Sequence, residues 1–164
     1  CATREAFRSG TARRLLRDSW MRAVLHTDGG ARGNPGPAAI GVVLSYEGRS
    51  PVEISETIGT TTNNVAEYQA LLRGLEEARA RGVTDLDCRM DSELLVKQLQ
   101  RVYKVRDLKL APLWVRAWNA ASRFKTITFR AIPRSKNTRA DALVNKALDR
   151  RLGGTSASNT HTRP

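Results

Sequence analysis

Two runs decide the fold: Ala23-Val24-Leu25-His26-Thr27-Asp28-Gly29-Gly30 and, shortly after, Ile40-Gly41-Val42-Val43-Leu44-Ser45-Tyr46. The first joins apolar and β-branched residues to Asp-Gly-Gly, which predicts a short strand over 23–27 that ends in a turn. Between the runs, Gly33-Asn34-Pro35-Gly36-Pro37 is excluded from helix and from central strand, because two prolines and two glycines break both. The second run reads as a strand. Glu47-Gly48-Arg49-Ser50 then makes a turn, and Val52, Ile54 and Glu56 begin the returning strand. This hairpin makes the early sheet antiparallel.

Helical spacing follows. Tyr68, Leu71, Leu72, Leu75 and Ala78 share one face, and Gly82 suits the position just past the helix end. Leu86, Cys88 and Met90 alternate with Asp87, Arg89 and Asp91, the period of a strand. A short helix is expected from Ser92 to about Leu99. Another is expected from about Leu110 to Ala121, with Leu113, Trp114, Ala117 and Ala121 inward. Trp114 and Trp118 are both read as core. Thr126-Ile127-Thr128-Phe129 is the last strand, and Thr138 to about Arg151 the last helix. Three strands, helix, strand, two helices, strand, helix is an α/β order with a mixed sheet.

The chain has 164 residues, enough for one domain with a real core. No apolar run is long enough to span a bilayer, so no membrane association is expected. The cysteines, Cys1 and Cys88, do not resemble a disulfide framework, and a reducing cytoplasm is the expected setting. Lys and Arg number 28 against 16 acids, a net charge of +12. Such a surplus favours a polyanionic partner, since phosphates bind Lys and Arg by releasing counterions. Residues 1–20, with Arg4, Arg8, Arg13, Arg14 and Arg17, read as a flexible basic extension. Residues 21–152 read as the folded domain, and 153–164, rich in Gly, Ser, Thr and Asn, as a disordered tail.

Four acids stand out, and each has an ordinary explanation. Asp28 can be a turn residue. Asn64 can cap a helix with Glu67 as its capping-box partner. Asp91 can cap the helix that starts near Ser92, and Thr138 can cap the last helix with Asp141 in its first turn. Jointly they say more. Asp28 and Asp91 sit at strand ends, while Glu67 and Asp141 sit in first helical turns. If the strands are neighbours, all four converge. Clustered carboxylates raise one another's pKa, and divalent cations relieve that repulsion. An oxygen-only donor set suits Mg²⁺ or Mn²⁺ over zinc, and a pair of such ions suits phosphodiester cleavage.

The residues around these acids carry a resemblance. Thr27-Asp28-Gly29-Gly30-Ala31-Arg32-Gly33-Asn34-Pro35-Gly36, Thr61-Thr62-Asn63-Asn64-Val65-Ala66-Glu67, Asp91-Ser92-Glu93-Leu94 and Asn137-Thr138-Arg139-Ala140-Asp141 resemble, in order and spacing, the four motifs of type 1 ribonuclease H. The resemblance covers roughly residues 22–150. It implies a ribonuclease H-like fold, a five-stranded mixed sheet flanked by helices. It also implies endonucleolytic cutting of the RNA strand of RNA–DNA hybrids, by a monomer using two Mg²⁺ ions (or Mn²⁺), leaving 3′-hydroxyl and 5′-phosphate ends. Asp28 would bridge both ions, Glu67 and Asp91 complete one site, and Asp141 hold the other. Gly33, Asn34, Asn63 and Asn64 match positions that touch the hybrid's minor groove, and Thr62 one that holds a DNA phosphate. Groove reading by amides is sound chemistry, because a 2′-hydroxyl both donates and accepts.

Two departures mark a compact subgroup. Many members carry a His in the loop before the last acid. Here Ile132-Pro133-Arg134-Ser135-Lys136-Asn137 has none, and Arg134 is the expected substitute, as a phosphate contact and not as a base. The long basic protrusion after the third motif is also missing. Tyr103 and Lys104, in a short basic segment, are the expected DNA-strand contacts. Two other readings stay open on charge and fold: a hybrid- or duplex-binding module without catalysis, and a resolvase- or transposase-type nuclease.

Overall fold

The computed structural model describes residues 20–153. The basic extension expected over 1–20, apart from Trp20, and the tail expected over 153–164, apart from Gly153, lie outside the described residues. Five strands form one sheet: β1 Arg22–Ala31, β2 Gly36–Tyr46, β3 Val52–Thr61, β4 Asp85–Met90 and β5 Thr126–Ala131. The helices are α1 Asn63–Ala80, α2 Glu93–Leu99, α3 Ala111–Ala121 and α4 Thr138–Gly153, with a single 3₁₀ turn at Arg134–Lys136. Element order follows the hydrophobic periodicity throughout. The strand order is β3-β2-β1-β4-β5. β1 pairs antiparallel with β2, β2 antiparallel with β3, and β4 parallel with both β1 and β5.

The expectation that β1 stops before Asp28-Gly29-Gly30 is corrected. The strand runs on to Ala31, with Asp28 opposite Gly41 and Gly29 opposite Ile40 in β2. Its parallel ladder with β4, however, ends at Thr27↔Met90. Asp28 is therefore in a strand on one side and at a strand end on the other. The glycines serve packing, not a turn: a Cβ at Gly29 would overlap the Ala66 carbonyl in the first turn of α1. Likewise, Gly36 and Pro37 are not loop but the first residues of β2. Pro37 still accepts from Arg32 N through its carbonyl, at 2.8 Å. A strand's opening position tolerates the missing N–H.

Both faces of the sheet are covered. On one, Leu25, Leu44, Leu71, Leu75, Leu86, Val96 and Ala117 form the main core with α1, α2 and α3. On the other, α4 places Val144, Ala147 and Leu148 on Ala39, and Ala140 and Leu143 on Val43. Gly41 permits this second contact, since a Cβ there would overlap the Ala140 carbonyl. Trp114 is half-buried against the core and donates from Nε1 to the Gln98 carbonyl at 3.0 Å. Trp118 is not core: it is 37% exposed and stacks on Trp114, with Arg101 over its ring. Among the described residues no helix is long and apolar enough to cross a membrane.

Candidate active site

The β1–β4 neighbourhood brings the acids together. Where the parallel ladder ends at Thr27 and Met90, the next residues on each strand are Asp28 and Asp91. Glu67 arrives from α1, whose first turn lies directly on Gly29. Carboxylate oxygens of Asp28, Glu67 and Asp91 all lie within 4.8 Å of one another, half-buried. Asp141, in the first turn of α4, adds its negative charge to the same place, which helps raise the pKa of Asp28.

The caps expected of these acids fall to other residues. Thr62 caps α1, its Oγ1 accepting from Val65 N at 3.3 Å, so Asn64 is not the cap and Glu67 is not its capping-box partner. Ser92 caps α2, its hydroxyl oxygen accepting from Leu95 N at 3.3 Å, so Asp91 is not the cap. Thr138 is the first residue of α4 and not a residue preceding it. Glu67 and Asp91 thus have no structural duty at these helix ends.

The electrostatics match a cluster with too much negative charge. Burial, then Asp91, Glu67 and Asp141, push Asp28 up to about 8. Burial pushes Glu67 up to about 7, with Asp91 adding to the rise and a hydrogen bond from Ser92 opposing it. The nearby cation, Arg134, lies 3.4 Å from Asp141 and is largely exposed. Oxygen donors at this spacing, short of compensating charge, fit a hard divalent cation. His26 does not join them. It is half-buried in β1, where burial and Arg89 lower its pKa and Asp87 opposes them.

Asn137 went unrecognised at this site. Its side chain is buried, and Nδ2 donates to the Thr27 carbonyl at 2.9 Å and to Asp91 Oδ1 at 3.3 Å. It clips Thr27, where the β1–β4 ladder ends, to Asp91. An Asn just ahead of a helix was the available signal, and it reads more naturally as a cap.

Beside the acids lies a polar ledge. Asn34 Oδ1 accepts from Asn63 N at 3.1 Å, and Asn63 Oδ1 accepts from Ala31 N at 2.7 Å. The oxygens are engaged internally, which leaves the amide NH₂ groups as the exposed donors. Gly33, with φ +96°, makes the bend that brings Asn34 there. Asn64 is exposed one residue on. Tyr103 stands apart on the surface, its ring under Lys97 and its hydroxyl accepting from Lys97 Nζ at 3.3 Å. Lys104 beside it is exposed.

The sheet order, the β1–β4 junction and the carboxylates define an α/β protein with an oxygen-only cluster that could hold a cation. A family model described as reverse transcriptase-like matches residues 26–147. The ribonuclease HI of Halobacterium salinarum is 44% identical over 133 residues, covering 80% of this chain and 67% of that protein. The crystal structure of the RNase H1 from that archaeon matches with a TM-score of 0.76, over 79% of this chain and 98% of that one. An RNase H1 isolated from compost, solved in complex with an RNA/DNA hybrid, matches with a TM-score of 0.75 at 47% identity, over 79% of this chain and 99% of that one. A bifunctional protein of Mycobacterium tuberculosis is 44% identical over 131 residues, of which this chain spans only 36% of the length. The chain belongs to the ribonuclease H family, and its fold is ribonuclease H-like.

Proposed function

We propose that this chain hydrolyses the RNA strand of RNA–DNA hybrids endonucleolytically, with two divalent cations, leaving 3′-hydroxyl and 5′-phosphate ends. The observation that carries this is the convergence of Asp28, Glu67 and Asp91 beside the Asn34–Asn63 ledge. Asp28, Glu67, Asp91 and Asp141 would hold the ions, Mg²⁺ first and Mn²⁺ as an alternative. Bound there, such ions lower the pKa of the attacking water and neutralise charge at the cleaved phosphate. A binding module without catalysis would gain from losing these acids, since they repel phosphate.

The remaining roles belong to side chains. Asn137 holds Asp91 through its Nδ2, which favours one orientation of that carboxylate. The amides of Asn34, Asn63 and Asn64, with the backbone at Gly33, would test for the RNA 2′-hydroxyl in the minor groove. Thr62 caps α1 through its oxygen lone pair, which leaves its O–H to donate to a DNA phosphate. Arg134, beside Asp141, would contact the departing phosphate; its guanidinium cannot serve as a base. Tyr103 and Lys104 would touch the DNA strand.

All four acids come from one chain, which supports action as a monomer within residues 21–152. Cys88, a buried free thiol, is consistent with a reducing compartment such as the cytoplasm. The test is product-end analysis on a labelled RNA–DNA hybrid. RNA fragments bearing 5′-phosphate and 3′-hydroxyl are expected. Fragments ending in 3′- or cyclic phosphate would contradict the reading, because they arise by attack of the 2′-hydroxyl and not of water.

A further inference from the structure

Glu67 and Asp91 reach the same place from different parts of the chain. Glu67 lies near the start of α1, and Asp91 just past the end of β4, ahead of α2. Their carboxylate oxygens lie within 4.8 Å of each other, so the spacing of α1 from α2 sets how they can share a cation. A buried hydrogen bond joins those two helices. The Tyr68 hydroxyl donates to Gln98 Oε1 at 2.6 Å, and both side chains are buried. Tyr68 follows Glu67 directly, which puts their Cα atoms about 3.8 Å apart. Burial pushes the Tyr68 pKa up, so the hydroxyl keeps its proton. Gln98 is braced in turn, since its backbone carbonyl accepts from Trp114 Nε1 of α3 at 3.0 Å. At the other end of α2, the Ser92 cap holds the turn that follows Asp91. The cleft between α1 and α2, lined by Glu67, Tyr68, Ser92 and Gln98, has no room for a water molecule.

We propose that Tyr68 and Gln98 are a positioning pair: their hydrogen bond fixes α1 against α2 at the spacing that lets Glu67 and Asp91 share a cation. This rests on the reading that the acids hold a divalent ion. Apolar packing already holds the helices together, through Leu71, Leu75, Leu95 and Leu99 in the same core. Such burial is non-directional, so it does not by itself choose between small slides of one helix along the other. A buried hydroxyl–amide bond adds little net stability but has a set length and direction. It therefore selects one arrangement among those that bury similar surface. A Mg²⁺ site needs that selection, because the ion demands near-ideal octahedral geometry.

The test is a double substitution, Tyr68→Phe with Gln98→Met. It replaces both partners by apolar groups of similar shape and leaves neither an unpaired hydroxyl nor an unpaired amide, so the melting temperature should stay near wild type. Mn²⁺ binding is measured by isothermal titration calorimetry without substrate, and hybrid cleavage by kcat and KM across a Mg²⁺ series. In the double variant, Mn²⁺ affinity and kcat at limiting Mg²⁺ should each fall about tenfold or more, as for outer partners of metal ligands, with KM for the hybrid within about twofold. Wild-type Mn²⁺ affinity and kcat in that variant would overturn the proposal and leave the pair as packing. If the double variant melts lower, Ile54→Val is the comparison, because it trims the core on β3 at the far edge of the sheet. Equal loss of Mn²⁺ affinity in Ile54→Val, at an equal fall in melting temperature, would assign the effect to stability and overturn the proposal. Affinity kept in Ile54→Val and lost in the double variant supports it. If the double variant does not fold, Tyr68→Phe alone is judged by the same comparison. Wild-type protein that neither binds Mn²⁺ nor cuts the hybrid would overturn the cation reading and the positioning pair with it. Wild-type protein that does both, beside variants that match it, would overturn the positioning pair alone.

Discussion

Asn137 uses its one amide group twice, donating to the Thr27 carbonyl in β1 and to Asp91 just past the end of β4. Its carbonyl oxygen is buried and, among the described residues, has no hydrogen-bond partner. A buried polar atom left unsatisfied is costly, and its retention beside the carboxylates points to the NH₂ group as what is needed there. Asn137→Ala should lower hybrid cleavage about 10–100-fold, the range for outer partners of metal ligands. It should also cost about 1–3 kcal/mol in urea unfolding, through the orphaned Thr27 carbonyl. Activity within twofold of wild type would remove Asn137 from the site. The convergence of Asp28, Glu67 and Asp91 was legible in the sequence, from their expected places at strand ends and in a first helical turn. Asn137 was not, because its partners are remote: Thr27 lies 110 residues away and Asp91 46 residues away. The caps misled for a local reason: Asn64, Asp91 and Thr138 are good cap residues, but Thr62 and Ser92 hold that role at α1 and α2.

At the scale of elements, periodicity gave every strand and helix in order, while boundaries failed where glycine had two uses. Asp28-Gly29-Gly30 looks like a turn, yet β1 continues through it because α1 needs a bare backbone beneath Ala66. No local pattern separates a glycine that bends the chain from one that admits a neighbouring helix. Trp118 misled in a similar way. Its spacing from Trp114 fits a buried face, but α3 buries Leu113, Ala117 and Ala121, and leaves Trp118 at the margin. The close approach at Gly29 carries a prediction. Gly29→Ala pushes the first turn of α1, and Glu67 with it, away from Asp28. It should cost about 1–3 kcal/mol in stability, as overpacking does, and lose most cleavage even at saturating Mg²⁺. A variant of wild-type stability would mean that α1 yields freely there.

For the whole molecule, the raised carboxylates tie folding to pH. Asp28 moves from an ordinary 3.8 to about 8, and Glu67 from 4.5 to about 7. Between those limits the native state holds protons that the unfolded chain has released, so stability falls as pH rises. In EDTA, urea midpoints should therefore drop between pH 5 and pH 8.5, and Asp28→Asn should flatten the decline. A slope unchanged in that variant would show that Asp28 ionises normally. The net charge of +12 supplies affinity for a polyanion, but the carboxylates oppose phosphate unless cations neutralise them. Chemistry should thus require metal where general charge attraction does not. The most direct test is strand-resolved cleavage of a hybrid labelled on both strands, with and without Mg²⁺, by the wild type and by Asp28→Asn. Only the RNA strand should be cut, only with Mg²⁺, and more than about a hundredfold more slowly by the variant. Cutting of the DNA strand, cutting in EDTA, or full activity in Asp28→Asn would contradict the account.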